Sequence, residues 1–315
     1  MIRISVVVCT YNRADTLNRC LESLVQQSLD KDLYEVILVN NASTDDTPEV
    51  LEELLVKHRK YHLVRIDEPR LGLAHARNEG FRYAKGSYVA FMDDDARADK
   101  DWLELALDCF EHVKPTPLVV GGPIFPFYEG PKPAWFKDEA EIRTWGETPR
   151  FLKNGESFSG SNMIFRREVI EKYGGFNAAV GMKGEYLSVG EETSIFEKIW
   201  QYNSEPKVLY YLPQLTVFHA VPNYKLTVPY RLKRAFATGQ AWNLRHGHKS
   251  LRRRLQLLMG ILVSIARVAG SALRQRKEYP AYQNWIIERL APVAVEIGRL
   301  AGCLGLFIPV RQRPR

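Results

Sequence analysis

Four short β-branched segments alternate with amphipathic helical segments over residues 1–115. Runs that are apolar along their whole length are typical of strands covered on both faces, as in parallel sheets. Strands that alternate with helices predict an α/β fold with an open, mostly parallel central sheet flanked by helices. The strand-like segments are Ile4–Val8, Glu35–Val39, Leu63–Ile66 and Tyr88–Met92.

Local signals mark the ends of two helices between these strands. Thr47 and Pro48 predict a helix start, with the threonine as N-cap and the proline at the first helical position. A second helix is predicted from about Leu73 to Ala84, and we expect Gly86 to stop it.

The pattern changes after residue 115, where prolines, glycines and aromatic residues are interleaved up to about residue 160. Regular helices are not expected there. A stretch this long is either a plain connecting loop or a functional region, and we interpret it as part of the substrate site. We therefore predict one domain at 1–240, with a first part at 1–115 and a second part at 116–240.

Residues 241–315 carry the positive charge of the chain. The net charge of the whole chain is +7, and this segment has fourteen Lys or Arg residues against three Asp or Glu residues. Apolar residues at helical spacing predict a C-terminal extension of two amphipathic helices. Such basic helices bind anionic membrane surfaces, but they could instead pack on the catalytic domain or form a homodimer. The apolar stripe is Leu251, Leu255, Leu258, Leu262, Ile265 and Ala269, with Arg252, Arg253, Arg254, Arg267, Arg274, Arg276 and Lys277 around it.

The cysteines and the N-terminal residues indicate the cellular compartment of the protein. The four cysteines form no C-x-x-C pair, so we expect buried thiols in a reducing compartment. No charged leader precedes the first strand, so no signal peptide is expected. We predict a cytoplasmic protein that lies peripherally on the cytosolic face of a membrane, with no nucleic-acid partner.

Three consecutive aspartates, Asp93, Asp94 and Asp95, follow the fourth predicted strand directly. Ligands of open α/β sheets lie beyond the carboxyl ends of the strands, where we expect these acids to be exposed. Adjacent carboxylates repel one another, and Mg²⁺ or Mn²⁺ would relieve that repulsion while binding the phosphate oxygens of a ligand. The alternative is a solvated acidic turn before the helix that starts near Asp101.

Other polar residues are predicted at the same edge of the sheet. Thr10, Tyr11 and Arg13 follow the first strand, Asn41 follows the second, and Arg77 lies on the helix after Gly72. An aromatic ring beside polar groups can stack on a base and hydrogen-bond its edge, and Arg77 could meet a diphosphate. Ordinary turn chemistry and a surface arginine are the alternatives.

The six segments VVVCTYNR (6–13), VNNASTDDT (39–47), GLAHARNEG (72–80), VAFMDDDA (89–96), GSNMIFRREVIEKYGGF (160–176) and GEETSIFEKI (190–199) occur in one order. In that order the chain resembles the inverting glycosyltransferases of family 2, which have the GT-A fold. The resemblance spans about three quarters of the chain. It implies transfer of a sugar from a nucleotide-diphosphate sugar, with UDP-sugars favoured, to a saccharide or lipid-linked saccharide. It also implies that the domain at 1–240 is the catalytic domain, with a nucleotide-binding half at 1–115 and an acceptor half at 116–240.

The resemblance also implies roles for individual residues. Asp93 and Asp95 match the outer acids of the family's D-x-D motif, and Asp95 is the expected metal ligand. Glu191 and Glu192 match a pair of acids whose second member is the catalytic base, and His219 falls near the metal and the diphosphate. The alternatives are helix N-terminal acids and a core histidine. The nucleotide-sugar residues are Thr10, Tyr11, Arg13, Asn41, Arg77, Asp93 and Asp94, and the acceptor-side residues are Ser161 and Asn162.

Three residues depart from the family pattern. Asn41 stands where an aspartate usually accepts the uracil imide proton, and an amide accepts that proton less strongly. Glu192 replaces an aspartate, and Lys225 replaces an arginine, which weakens any bidentate contact with phosphate.

Other classes of protein fit the sequence less well. No glycine-rich loop follows the first strand, which argues against nucleotidyltransferases and dinucleotide oxidoreductases. The remaining alternative is a non-catalytic membrane- or nucleic-acid-binding protein with a structural ion site.

Overall fold

The computed structural model describes residues 1–188, 190–203, 207–246, 250–275 and 279–312, so Arg276 and Lys277 of the predicted basic stripe lie outside the described residues. The chain divides into two compact units. The first comprises Met1–Phe127, Glu141–Ala178 and Glu191–Ala220, and the second comprises Tyr128–Ala140, Ala179–Gly190 and Val221–Arg315.

The strands belong almost entirely to the first unit. Eight form one sheet in the order β3-β2-β1-β4-β9-β6-β10-β8, and three form a small sheet in the order β5-β11-β7. They are β1 (Ile4–Thr10), β2 (Tyr34–Asn40), β3 (Leu63–Asp67), β4 (Tyr88–Asp93), β5 (Ala96–Ala98), β6 (Val119–Gly121), β7 (Ile124–Tyr128), β8 (Arg150–Phe151), β9 (Met163–Arg166), β10 (Leu209–Tyr211) and β11 (Val217–Val221).

The four strands predicted from the sequence form the parallel half of the large sheet. Strand β1 pairs in parallel with β2 and β4, and β2 pairs in parallel with β3. Strand β9 is antiparallel to both β4 and β6, so the sheet is mixed beyond β4. The prediction of a mostly parallel sheet in an α/β fold is therefore confirmed.

The β-branched runs are apolar because the large sheet is covered on both faces. Val6 and Val8 of β1 pack into the core on one side of the sheet, and Val7 packs into the core on the other. The same alternation puts Leu38 on the first side and Ile37 on the second. A strand buried in this way needs apolar residues at every position, which accounts for the uninterrupted runs.

Helices connect the strands of the first unit and form the second unit. Those of the first unit are α1 (Leu17–Val25), α2 (Thr47–Lys57), α3 (Leu73–Tyr83), α4 (Trp102–His112), α5 (Arg167–Tyr173) and α6 (Glu191–Tyr202). Those of the second unit are α7 (Val228–His246), α8 (Leu251–Gln275) and α9 (Tyr282–Cys303).

The predicted start of α2 and the predicted role of Gly86 at the end of α3 both differ from the structure. The N-cap of α2 is Asp46, so Thr47 is already helical, one residue earlier than predicted. Helix α3 ends at Tyr83, and Gly86 does not adopt a left-handed backbone conformation. A Cβ atom on Gly86 would lie 2.7 Å from the backbone nitrogen of Ser5 and 2.8 Å from the carbonyl oxygen of Arg3. Gly86 is therefore required for close approach to β1.

The two predicted C-terminal helices are α8 and α9, and both pack within the second unit. Helix α7 crosses α9 at two glycines, where a Cβ atom on Gly239 or on Gly298 would meet the backbone of the other helix. The predicted boundary after residue 240 falls inside α7, so the predicted domains and the compact units divide the chain at different positions. Among the described helices, none contains an apolar stretch long enough to cross a membrane.

We predict that Gly86→Ala lowers the free energy of unfolding by about 2 kcal/mol, because the new methyl group meets backbone atoms that cannot rotate away. Gly260→Ala in α8 is the control, since a Cβ atom there meets nothing within 4 Å, and it should stabilise the helix by up to about 1 kcal/mol. Urea denaturation followed by circular dichroism measures both. A Gly86→Ala protein as stable as wild type would contradict the close approach.

Candidate active site

The aspartate cluster lies at the edge of the sheet that the sequence predicts. Cys9 pairs with Asp93 in the parallel register of β1 and β4, so both strands end together. The next residue of β1, Thr10, is buried, and its carbonyl oxygen accepts the backbone N–H of Asn41 (2.9 Å). Tyr11 lies half-buried in the turn that follows. The carboxyl ends of three neighbouring strands therefore meet at one place.

Asp93, Asp95 and His219 come together as a possible metal site, with one ligand atom of each lying within 4.8 Å of the others. Strand β11 pairs with β5 so that His219 lies opposite Ala96, the residue after Asp95. The Nε2 atom of His219 is 3.0 Å from Oδ1 of Asp95 and 3.6 Å from Oδ2 of Asp93.

The imidazole of His219 is oriented by its other nitrogen. Its Nδ1 donates to the carbonyl oxygen of Ala220 (3.1 Å), since a carbonyl can only accept. Nε2 then faces the two carboxylates: when it is protonated it donates a hydrogen bond to them, and when that proton is lost its lone pair is available to a metal ion. Two carboxylates and a correctly oriented imidazole fit Mn²⁺, and their oxygen atoms also fit Mg²⁺.

The acids are more buried than the sequence led us to expect. Asp94 and Asp95 are each 7% exposed, so the prediction of exposed strand-end acids is wrong. Arg13 reaches them from the turn after β1, with Nη2 3.3 Å from Asp95 and Nε 4.0 Å from Asp94. Burial raises the pKa of Asp94 well above its ordinary value, although the charge of Arg13 opposes this.

Arg77 connects the aspartate cluster with the glutamate pair. Its Nη2 donates to Asp93 (3.2 Å) and to the carbonyl oxygen of Gly160 (3.3 Å), and its Nη1 donates to Glu191 (3.3 Å). The residue is 3% exposed. Arg77 was predicted to meet a diphosphate, but the structure places its guanidinium in the interior, where it bridges two acids. A Cβ atom on Gly160 would lie 2.5 Å from Nη2, so only glycine permits this approach.

Asp93 keeps its charge because of its neighbours. Burial alone would raise the pKa of Asp93, but the hydrogen bond from His219 and the charge of Arg77 together lower it below the ordinary value. Its backbone N–H also donates to the hydroxyl of Ser161 (3.2 Å). Ser161 was predicted on the acceptor side, and the structure shows it buried and holding the end of β4.

Asn162 and Asn41 are used inside the protein. Asn162 is 0% exposed, accepts from the indole of Trp102 (3.0 Å) and donates to the carbonyl oxygens of Pro123 and Leu215. Asn41 is 4% exposed, and its carbonyl accepts the N–H of Gly72 (2.8 Å). The structure thus encloses both side chains, and the acceptor-side role of Asn162 and the nucleotide-side role of Asn41 stay predictions.

The two glutamates begin helix α6 and differ in their surroundings. Glu191 is buried against Arg77, and burial together with the charge of Glu192 raises its pKa well above the ordinary value. Glu192 is only half-buried, although the Oε2 atoms of both glutamates are buried and have no hydrogen-bond partner among the described residues. Glu192 is therefore the more accessible member of the pair.

The site as a whole has an excess of negative charge. Five acidic side chains lie near two guanidinium groups and one imidazole, and burial together with the charges of neighbouring acids raises the pKa of two of them, Asp94 and Glu191. The five are Asp93, Asp94, Asp95, Glu191 and Glu192. A divalent cation at the aspartate cluster would balance much of this charge.

The comparisons with known proteins identify the class of this fold and site. The family described as Glycosyl transferase family 2 matches residues 5–174. The match covers more than half of the chain, which therefore belongs to glycosyl transferase family 2. It is a glycosyltransferase, as the sequence predicts, and the non-catalytic alternative is set aside.

A similar protein of known name agrees with this membership. The chain is 28% identical over 251 residues to the glucosyl-dolichyl phosphate glucuronosyltransferase of Haloferax volcanii, covering 76% of this chain and 75% of that protein.

Two solved structures share the fold. The mannosyltransferase PcManGT from Pyrobaculum calidifontis, in complex with GDP-Man and Mn²⁺, superposes with a TM-score of 0.63 at 22% identity over 95% of this chain and 87% of that one. Residues 1–349 of TarS from S. aureus, in complex with UDP, give a TM-score of 0.56 at 17% identity over 96% and 91%. The predicted GT-A fold is confirmed.

Sequence reasoning missed the contacts that brace the site. Nothing local indicates that Arg77 reaches Glu191, which lies 114 residues away in the sequence. The pairing of Trp102 with Asn162 likewise spans 60 residues of sequence. The close approach of Gly160 to Arg77 is also visible only in the folded chain. Lys225, the third departure from the family pattern, is buried in the second unit.

We predict that Arg77→Met lowers the free energy of unfolding by about 3 kcal/mol or more, because Glu191 and Asp93 lose their shared buried cation. The matched control is Arg82→Met in the same helix, where an exposed pair with Glu79 contributes less than about 1 kcal/mol. Urea denaturation compares the two variants. Equal losses of stability would show that the Arg77 bridge does not support the fold.

Proposed function

We propose that this glycosyltransferase moves a sugar from a nucleotide-diphosphate sugar to a saccharide or lipid-linked saccharide, with inversion at the anomeric carbon. The observation that carries the proposal is the position of Arg77. One guanidinium contacts Asp93 of the metal cluster and Glu191 at the start of α6. Arg77 thus holds the aspartates and the start of α6 close together. The diphosphate of a donor bound at the aspartates and the hydroxyl of an acceptor beside Glu192 would then lie on opposite sides of the transferred sugar.

Asp93, Asp95 and His219 are proposed to hold Mn²⁺ or Mg²⁺. The bound ion supplies positive charge that stabilises the departing diphosphate, so no general acid is needed on that side. Arg13 contacts Asp94 and Asp95 and fixes their carboxylates before the donor binds. The Mn²⁺ in the PcManGT complex supports this assignment.

Glu192 is proposed as the catalytic base. Inverting transfer requires a carboxylate that takes the proton of the acceptor hydroxyl as its oxygen attacks. Glu191 is unsuited to this task because its carboxylate is buried on Arg77. Glu192 is half-buried whereas Glu191 is buried, and it lies in the first turn of a helix anchored by Glu191.

The donor site is proposed to be the edge formed by Thr10, Tyr11 and Arg13 after β1. UDP-sugars are the favoured donors, and the TarS complex with UDP supports this choice. The complex of PcManGT with GDP-Man makes GDP-sugars the second class to test. Asn41 contributes indirectly by holding the backbone of Gly72 at the N-terminus of α3.

The acceptor is proposed to be a lipid-linked saccharide reached at the cytosolic face of a membrane. The Haloferax volcanii relative is named for a glucosyl-dolichyl phosphate substrate, which supports this class of acceptor.

The donor and the metal are tested together by a screen of nucleotide sugars. Wild-type protein should release nucleoside diphosphate from one sugar nucleotide in the presence of Mn²⁺ or Mg²⁺, and a chelator should abolish the release. Asp95→Asn, which keeps the shape but removes the charge of a proposed ligand, should lower the rate at least about 100-fold. Near-normal release by Asp95→Asn in chelator-treated buffer would show that the metal assignment is wrong.

The base is tested by Glu192→Gln, which removes the proton acceptor while keeping the size of the side chain. We expect kcat to fall about 100-fold or more with little change in the affinity for the donor. Glu191→Gln is the matched control. Turnover with a series of acceptors and donor binding by calorimetry separate the two effects. If Glu191→Gln reduces kcat more than Glu192→Gln without loss of stability, the roles are reversed.

A further inference from the structure

Helix α8 has two different apolar faces, and only one of them is packed. Leu257 and Ile261 are 4% and 6% exposed, and they lie on the side of the helix that is buried within the second unit, where α8 packs with α9. Leu255 and Leu262 are 54% and 52% exposed. Packing within the protein therefore does not account for the apolar stripe that the sequence shows.

The exposed residues form one continuous surface. At about 100° per residue they fall within roughly one third of the helix circumference, over about four turns. Surfaces of this kind on a folded protein mark binding sites, whereas single exposed apolar residues do not. The exposed stripe of α8 is Leu251, Leu255, Leu258, Met259, Leu262 and Ile265, each between 43% and 71% exposed.

Arginines border this stripe on both sides. Arg252 and Arg254 lie roughly 80° to either side of its centre, and Arg253 and Arg267 lie on the opposite face. The helix contains no aspartate or glutamate over its 25 residues. Long arginine side chains can extend from the edge of an apolar face towards a layer of negative charge.

We infer that the exposed stripe of α8 binds an anionic lipid bilayer. The leucines would enter the boundary between headgroups and acyl chains, and the arginines would contact lipid phosphates. A second copy of α8 fits the stripe less well, because a helix without acidic residues would place arginines near arginines in either orientation. This inference goes beyond the proposed function, since binding to lipid requires neither donor nor acceptor.

The test is sedimentation of the full-length protein with vesicles. Vesicles of phosphatidylcholine and phosphatidylglycerol should pellet the protein, and vesicles of phosphatidylcholine alone should pellet much less. Leu255→Gln/Leu262→Gln should lower the partition coefficient at least about tenfold. Arg252→Gln/Arg254→Gln should lower it about 25-fold on the anionic vesicles, since each basic residue contributes about fivefold.

The matched controls replace exposed apolar and exposed basic residues that lie outside α8. Val56→Gln/Tyr83→Gln changes two exposed apolar residues of the first unit, and Arg59→Gln/Lys60→Gln changes two exposed basic residues there. Neither should alter binding. Circular dichroism checks that helix content is kept, which is expected because glutamine is a good helix former and the replaced leucines are exposed.

Three results would overturn the inference. The first is equal binding to neutral and anionic vesicles, and the second is unchanged binding by both α8 variants. The third is that wild-type protein does not bind vesicles but forms a dimer without lipid, as measured by light scattering, and that Leu255→Gln/Leu262→Gln dissociates this dimer. That last result would identify the stripe as a subunit interface.

Discussion

The buried guanidinium of Arg77 is the interaction on which the rest of the site depends. Two acids, the half-buried Asp93 and the buried Glu191, lie against it, and its charge opposes the effect of burial, which disfavours the ionised form of both. Arg77 thereby joins the end of a sheet strand to the start of a helix. Gly160 makes the arrangement possible because any side chain at that position would occupy the space of the guanidinium.

Around this bridge, buried polar side chains hydrogen-bond the backbone of the segments that carry the site. Ser161 holds the backbone of Asp93, Asn162 ties three segments together, and Asn41 holds the turn before α3. Fixing charged groups before the substrate arrives reduces the reorganisation needed during the reaction. The acidic groups that remain unpaired are suited to a divalent cation, and Arg13 and His219 offset part of the negative charge at the aspartates.

The second unit is built on a different principle. Helices α7 and α9 approach closely because Gly239 and Gly298 leave room for backbone contact, and α8 packs with α9. Within α8, the packed face needs only a few apolar residues, such as Leu257 and Ile261. The exposed leucines of α8 lower the solubility of the protein and do not contribute to its core. Binding to a lipid surface would account for their presence on the helix.

The sequence by itself determined the class of fold, the strands of the parallel half of the sheet and the family. These features depend on local periodicity and on motifs of a few adjacent residues. The aspartate cluster from Asp93 to Asp95 could be recognised for the same reason, since its residues are consecutive and follow a strand. Only the tertiary structure decided which polar side chains are buried. Asn41, Arg77 and Asn162 were predicted to face ligands, yet each is enclosed by segments remote in sequence. Burial depends on how distant segments pack, so a side chain that binds a ligand and one that braces the site look alike until the chain is folded.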